Sequence, residues 1–206
     1  MIRYQSHFEE CKALLRTLRS GARVAFAAAC AERQMPIYEG YSYRTGRGNS
    51  QILASMLTKI WSDLPDEKLP IYELRKMLGR CHELLPDPGR VEDAYQANAE
   101  CTGMCVAYTI RTRLSGESSD AIWAATQAVD SLWNFLTSAV MRRPLIDISQ
   151  PSGREMVNAH PTVQAEYQRQ QEDLKELTAA AEGFSKEHVQ DLRFRARAAA
   201  NGFLGN

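Results

Sequence analysis

An alanine-rich stretch between Gly21 and Tyr38 constrains the fold more than any other part of the sequence. Residues 25–31 are all alanine, phenylalanine or cysteine, so mainly small side chains run nearly all round a helix built from them. A helix that is apolar on every side is normally buried inside a larger bundle. The stretch therefore predicts a central helix, stopped at Met35–Pro36, with the other segments packed round it.

The remaining apolar residues recur at spacings of three and four, which is the helical period. Further helices are predicted to begin near residues 4, 50, 71, 91, 119, 161 and 185. The sequence thus predicts an all-α, single-domain multi-helix bundle of about seven or eight helices around the central one. We expect a helical domain over residues 1–183 and a C-terminal helical extension, 184–206, packed on it.

Caps and connections complete this outline. Ser6 and Glu9 have the spacing of a capping box for the first helix. Residues 38–50 carry three tyrosines and three glycines and are predicted to form a loop, with Asn49 or Ser50 capping the next helix. Residues 141–161 have two prolines before Pro161 and no helical stripe, which predicts a long irregular connection of the kind that is often functional or mobile.

Composition excludes several classes of protein. The chain has 25 basic and 25 acidic residues, and this balance argues against nucleic acid as a partner. Neither a membrane span nor a signal peptide is evident, which favours a cytoplasmic protein without a membrane partner. The cysteines number five, which is odd, and four of them sit in helical, apolar patterns, which suits reduced thiols. Cys101 and Cys105 are read as core thiols rather than as half of a metal site.

No catalytic motif is present. The four histidines have no paired-ligand spacing, and no Glu-x-x-His pair of the di-iron kind occurs. The chain also lacks the G-x-S-x-G elbow of serine hydrolases. We therefore predict no catalytic residue, no metal and no cofactor, and a protein that is not an enzyme.

Two groups of polar residues stand out. Glu32 and Arg33 end the alanine-rich stretch, and buried charges there need partners. They are read either as a structural ion pair or as a ligand-binding or partner-binding pair, with Tyr38 tied to the same cluster. The second group is Thr45–Ser50, a glycine-rich turn before a helix. It is read as a capped turn or as an anion site helped by Arg44 and Arg47.

The segment AFAAACAERQMPIYEGY, followed by an amphipathic helix with Trp61 near its end, resembles the YjaG-like bacterial family of unknown function. The residues that carry the resemblance are Glu32, Arg33, Pro36 and Tyr38, and the similarity extends over about residues 3–180. The tail after Gly183 and the glycine–arginine loop at 44–48 depart from the family's pattern. The resemblance implies an all-helical fold with no assigned activity. Members of similar helical families also occur as immunity proteins beside secreted toxins.

Three functions follow as hypotheses. The first is a non-enzymatic, cytosolic immunity protein that neutralises a cognate bacterial toxin domain by direct binding. Its interface candidates are Tyr41, Tyr43, Arg44 and Arg47, since tyrosine and arginine anchor interfaces. The alternative is a small-ligand protein for a phosphorylated metabolite, or an unrecognised enzyme, that uses Glu32, Arg33 and Tyr38. The third is an RNA-associated protein that uses the arginines of the last helix.

Overall fold

The computed structural model describes residues 3–86, 94–140, 150–180 and 185–201. These residues form nine α-helices and no strand, so the all-α prediction is confirmed. The predicted helix start at Val91, the segment 141–149 and the boundary at residue 183 lie outside the described residues. The helices are α1 (Tyr4–Thr17), α2 (Ser20–Thr45), α3 (Ser50–Asp63), α4 (Ile71–Glu83), α5 (Ala94–Ser115), α6 (Ser118–Val140), α7 (Pro151–Asn158), α8 (Pro161–Ala179) and α9 (Lys186–Asn201).

The alanine-rich helix is central, as its composition predicts. Every residue from Val24 to Ala31 has no solvent-accessible surface, which covers all directions around two turns. Helices α3, α5, α6, α8 and α9 all pack on α2, and α5 does so most extensively. Small side chains allow this many neighbours because they let helix axes approach closely.

The predicted stop at Pro36 is wrong. Helix α2 continues through Pro36 to Thr45 and ends at Gly46, whose φ of 64° lies in the left-handed region and whose N–H donates to the Ser42 carbonyl. Residues 38–45 are consequently helical rather than a loop. Proline removes one backbone hydrogen bond, but Pro36, Tyr38 and Tyr41 are all buried, and that packing outweighs the local preference.

Two other local predictions fail. The Ser6–Glu9 capping box does not form, because α1 begins at Tyr4 and the Ser6 hydroxyl instead donates to the Arg3 carbonyl. Residues 151–158, predicted to be irregular, form the short helix α7 with Pro151 in its first turn. By contrast, the Asn49 side chain accepts from the Ile52 N–H at 3.1 Å, which confirms the predicted cap of α3.

The buried apolar residues form one main core and one smaller cluster. Val189, Leu192 and Ala196 of α9 belong to the main core together with residues of α2. The C-terminal helix therefore shares the interior of the bundle. Over the described residues, none of the helices combines the length and apolar character that crossing a bilayer demands.

Candidate functional site

Arg33 lies in a buried charge cluster that joins α2 to α8. Its Nε donates to Oε2 of Glu166 at 3.0 Å and its Nη2 donates to Oε1 at 3.0 Å, while Nη1 donates to Asp173 at 2.7 Å. The three side chains are only 3%, 1% and 8% exposed. Burial opposes the charge of Arg33, but the two carboxylates hold its pKa well above the ordinary value. The guanidinium is thus occupied by protein groups.

The cluster continues into α1 through neutral groups. The Gln170 amide donates to Glu166 at 3.0 Å, and its Oε1 lies 2.8 Å from Nε2 of His7. Burial lowers the pKa of His7, although the hydrogen bond to Gln170 opposes this. His7 is therefore neutral at neutral pH and serves to connect α1 with α8.

Glu32 faces a different pair of helices. Trp61 Nε1 of α3 donates to Glu32 Oε2 at 2.9 Å, and Arg197 Nε of α9 donates to Oε1 at 2.6 Å. Arg195 forms an ion pair with Glu176 of α8. These arginines of the last helix, predicted as a basic face for RNA, are partnered by the protein's own carboxylates.

Tyr38 does not join Glu32 and Arg33, so the prediction of one cluster is wrong. Its hydroxyl donates to the Leu84 carbonyl at 2.5 Å, and its ring centroid lies 5.8 Å from that of Tyr41. Burial raises the pKa of Tyr38 to about 12. Because α2 stays helical, the side chains of Tyr38 and Glu32 point about 120° apart around the helix axis.

Because α2 extends to Thr45, the predicted interface residues differ in exposure. Tyr41 is buried, whereas Tyr43 is 91% exposed near the helix end. Arg44 is exposed on the last turn of α2, and Arg47 is exposed in the turn before α3. Of this set, Tyr41 and Arg47 line the same cavity.

That cavity continues into a groove along α4. A cavity of about 510 Å³ lies beside the turn at Gly48, and a second of about 300 Å³ lies between α3 and α4. Arg80 lines both cavities, so they adjoin. We call this surface the α4 groove and define it by Arg47, Gly48, Lys59, Tyr72, Lys76 and Arg80.

The α4 groove is basic and carries an exposed aromatic ring. Among the described residues, its two cavities are lined by four basic side chains and two carboxylates, which gives an excess of positive charge within that part of the chain. Lys59 pairs with Glu73 at 2.6 Å and Arg80 with Glu83 at 2.7 Å. Within the described ranges Arg47 and Lys76 make no ion pair. Tyr72 is 74% exposed.

The α4 residues of this groove were not predicted from the sequence. A signal was present, because residues 72, 76 and 80 are spaced four apart and so share one face of a helix. That spacing does not show whether the face is exposed, which the packing of α4 decides.

Gly48 shapes the groove wall, and its replacement is expected to be costly. Its φ is 70°, and an added Cβ would overlap the Tyr38 hydroxyl. Gly46 has a similar φ of 64° but open space around it. We expect Gly48→Ala to lower the free energy of unfolding by about 2–3 kcal/mol and Gly46→Ala by only about 1 kcal/mol. Urea denaturation measures both, and equal losses would show that Tyr38 does not constrain the turn.

The cysteines are not poised for nucleophilic or metal-binding chemistry. All five thiols are free. Burial raises the pKa of Cys11, Cys81 and Cys101 to about 12. It raises the pKa of Cys30 and Cys105 well above the ordinary value as well. Thiols in that state are poor nucleophiles and poor metal ligands. No group of three potential metal ligands occurs in the part of the chain that is described.

Comparison with known proteins gives a family and a related fold. The model of a family described as "Protein of unknown function (DUF416)" matches residues 10–205. The match includes α9 and passes beyond the residue-180 limit expected from the resemblance. The crystal structure of a DUF416 family protein from Shewanella baltica OS155 is similar, with a TM-score of 0.77 and 19% sequence identity. The similarity covers 90% of this chain and 92% of that chain. No curated protein matches the sequence.

Proposed function

We propose that this chain, which belongs to the DUF416 family of proteins of unknown function, is a non-enzymatic protein that binds a protein partner through the α4 groove. We place its action in the cytoplasm. We also propose that the chain is one of the YjaG-like proteins, on the basis of Glu32, Arg33, Pro36 and Tyr38. The observation that carries the proposal is the exposed, basic and aromatic character of the α4 groove.

The chemistry of the groove selects an acidic partner. Arg47 and Lys76 are exposed cations without an intramolecular carboxylate among the described residues, so a carboxylate from outside would meet no internal competitor. Complementary charge speeds encounter and fixes the orientation of the two proteins. Binding through this surface should therefore weaken as the salt concentration rises.

A protein fits this surface better than a compact metabolite. Tyrosine and arginine provide much of the binding energy at interfaces, and here Tyr72 and Arg80 are exposed along one helix. A stable interface takes about 20–30 residues on each side, so the groove would form its centre. Tyr43 and Arg44, at the end of α2, are our candidates for its rim.

The partner we propose is a toxin domain that this chain neutralises, as an immunity protein does. A basic groove suits a toxin whose active-site cleft is rich in carboxylates. It does not suit a nuclease, because the phosphate-binding cleft of a nuclease is itself basic. Glu32, Arg33 and Tyr38 are engaged by the protein's own groups, so they would support the bundle rather than contact the toxin.

Charge reversal in the groove tests this proposal. We expect Arg47→Glu combined with Lys76→Glu to weaken binding to the toxin domain on the order of 1,000-fold, since two buried charge contacts at about 2 kcal/mol each sum to about 4 kcal/mol. Isothermal titration calorimetry measures the affinity, and survival of cells that co-express the toxin measures protection. The partner is sought among secreted toxin domains encoded beside the gene.

The matched control is Arg16→Glu combined with Lys175→Glu. Both residues are exposed on other helices and carry the same two charge changes. This control should bind and protect as the unchanged protein does. Full protection by the groove variant, or equal losses in both variants, would refute the α4 groove as the binding surface.

A further inference from the structure

Another cavity, separate from both cavities of the α4 groove, opens between α1, α6 and α7. Its volume is about 520 Å³. Its charged and aromatic lining residues are Arg3, Tyr4, Asp130, Trp133, Arg154 and Glu155. It shares no lining residue with the α4 groove, so a test of one leaves the other untouched.

Asp130 is the distinctive group in this cavity. It is partly buried on α6, and burial raises the pKa of its carboxyl, while the Tyr4 hydroxyl lowers it. That hydroxyl donates to Asp130 Oδ1 over a long 3.4 Å. Across the residues described, Asp130 forms no ion pair. A carboxylate that has lost water without gaining a cation favours a cation from outside.

Aromatic rings stand beside that carboxylate. The Tyr4 and Trp133 rings lie 6.3 Å apart at an interplanar angle of 73°, and Tyr4 also meets Phe8 edge to face at 4.8 Å. Aromatic faces attract ammonium groups and also pack against apolar groups. Tyr4 is 36% exposed, so its ring is accessible from the cavity mouth.

The same cavity also has guanidinium groups, from Arg3 at the start of α1 and Arg154 on α7. A simple organic cation would be attracted only by the carboxylates of Asp130 and Glu155 and would gain nothing from these guanidinium groups. A molecule with an ammonium at one end and a carboxylate at the other meets attraction at both ends. The lining therefore distinguishes a zwitterion from a cation and from an anion.

We propose that this cavity binds a small amphipathic zwitterion of the α-amino-acid class. Its ammonium lies at Asp130, its apolar body lies against Tyr4 and Trp133, and its carboxylate lies towards Arg3 and Arg154. The proposal concerns a ligand site that is independent of the partner-binding function of the α4 groove.

Three probes with one shared ring test the proposal. L-Phenylalanine carries both charges, phenethylamine only the ammonium, and 3-phenylpropionate only the carboxylate. Titration calorimetry up to about 10 mM should show saturable binding of L-phenylalanine, about tenfold tighter than either single-charge probe. Equal binding of L-phenylalanine and phenethylamine, or no saturable binding of any probe, would overturn it.

Two variants locate the binding. Asp130→Asn keeps the size of the side chain and should weaken the binding of L-phenylalanine about tenfold or more. Asp191→Asn, on the exposed surface of α9, should leave that affinity unchanged. Arg3→Gln alters an exposed side chain and should reduce the preference for L-phenylalanine over phenethylamine, with Arg154 retained. Wild-type affinity in the Asp130→Asn variant, or an unchanged preference in the Arg3→Gln variant, would refute the assigned orientation.

Discussion

Arg33→Met is expected to destabilise the protein by about 3–5 kcal/mol, because it leaves Glu166 and Asp173 buried without their cation. For a chain of this size, that loss lowers the melting temperature by about 6–20 °C. Thermal and urea denaturation followed by circular dichroism measure the change. Arg75→Met is the matched control, because Arg75 is exposed on α4, and its effect should stay within about 0.5 kcal/mol.

The Arg33→Met deficit should also depend on pH. Burial already raises the pKa of Asp173, and Arg33 lowers it more than any other group does, with a smaller contribution from Arg195. Without Arg33 the pKa of Asp173 rises further in the folded chain. An acid with a higher pKa in the folded than in the unfolded chain stabilises the fold as pH falls. The deficit should therefore shrink as the pH falls below neutrality, and a constant deficit would contradict the assigned role of Asp173.

Ala28→Leu should be nearly as damaging, at about 3 kcal/mol or a fall of about 6–12 °C in melting temperature. Ala28 is fully buried in a helix that has neighbours on every side, so no direction can accept three extra carbons without displacing another helix. Leucine is apolar and is a good helix former, so a loss of stability would reflect packing alone.

Ala198→Leu on α9 supplies the comparison for Ala28→Leu. Ala198 is exposed, and the same enlargement there should change stability by less than about 0.5 kcal/mol. If Ala28→Leu were as stable as the unchanged protein, the close approach of the helices to α2 would be wrong.

The candidate site was only partly predictable from sequence. Glu32 and Arg33 were recognised because charges in an apolar helix require partners, yet their charged partners come from helices more than a hundred residues away. One signal was overlooked: Glu166, Gln170 and Asp173 recur at spacings of four and three, so they share one face of α8. Polar residues on one face predict a buried network only once that face is known to be buried.

Pro36 shows why local rules misplace element ends. Its sequence signal favours a helix end, and residues 38–50 contain the glycines and polar side chains of a loop. The bundle nevertheless keeps α2 helical to Thr45, because Tyr38 and Tyr41 fill the interior beside Leu84. Burial of two aromatic rings exceeds the cost of one missing hydrogen bond.

The sequence alone determined the helical class, the central place of α2 and the start of most helices, because these follow from apolar periodicity and side-chain size, which are properties of neighbouring residues. Only the tertiary structure decided which charges are buried together and that Tyr38 lies apart from Glu32 and Arg33. It also decided that Arg47 lies in one groove with Tyr72, Lys76 and Arg80. These outcomes depend on how helices are rotated and paired, and that pairing is set by packing between residues far apart in the chain.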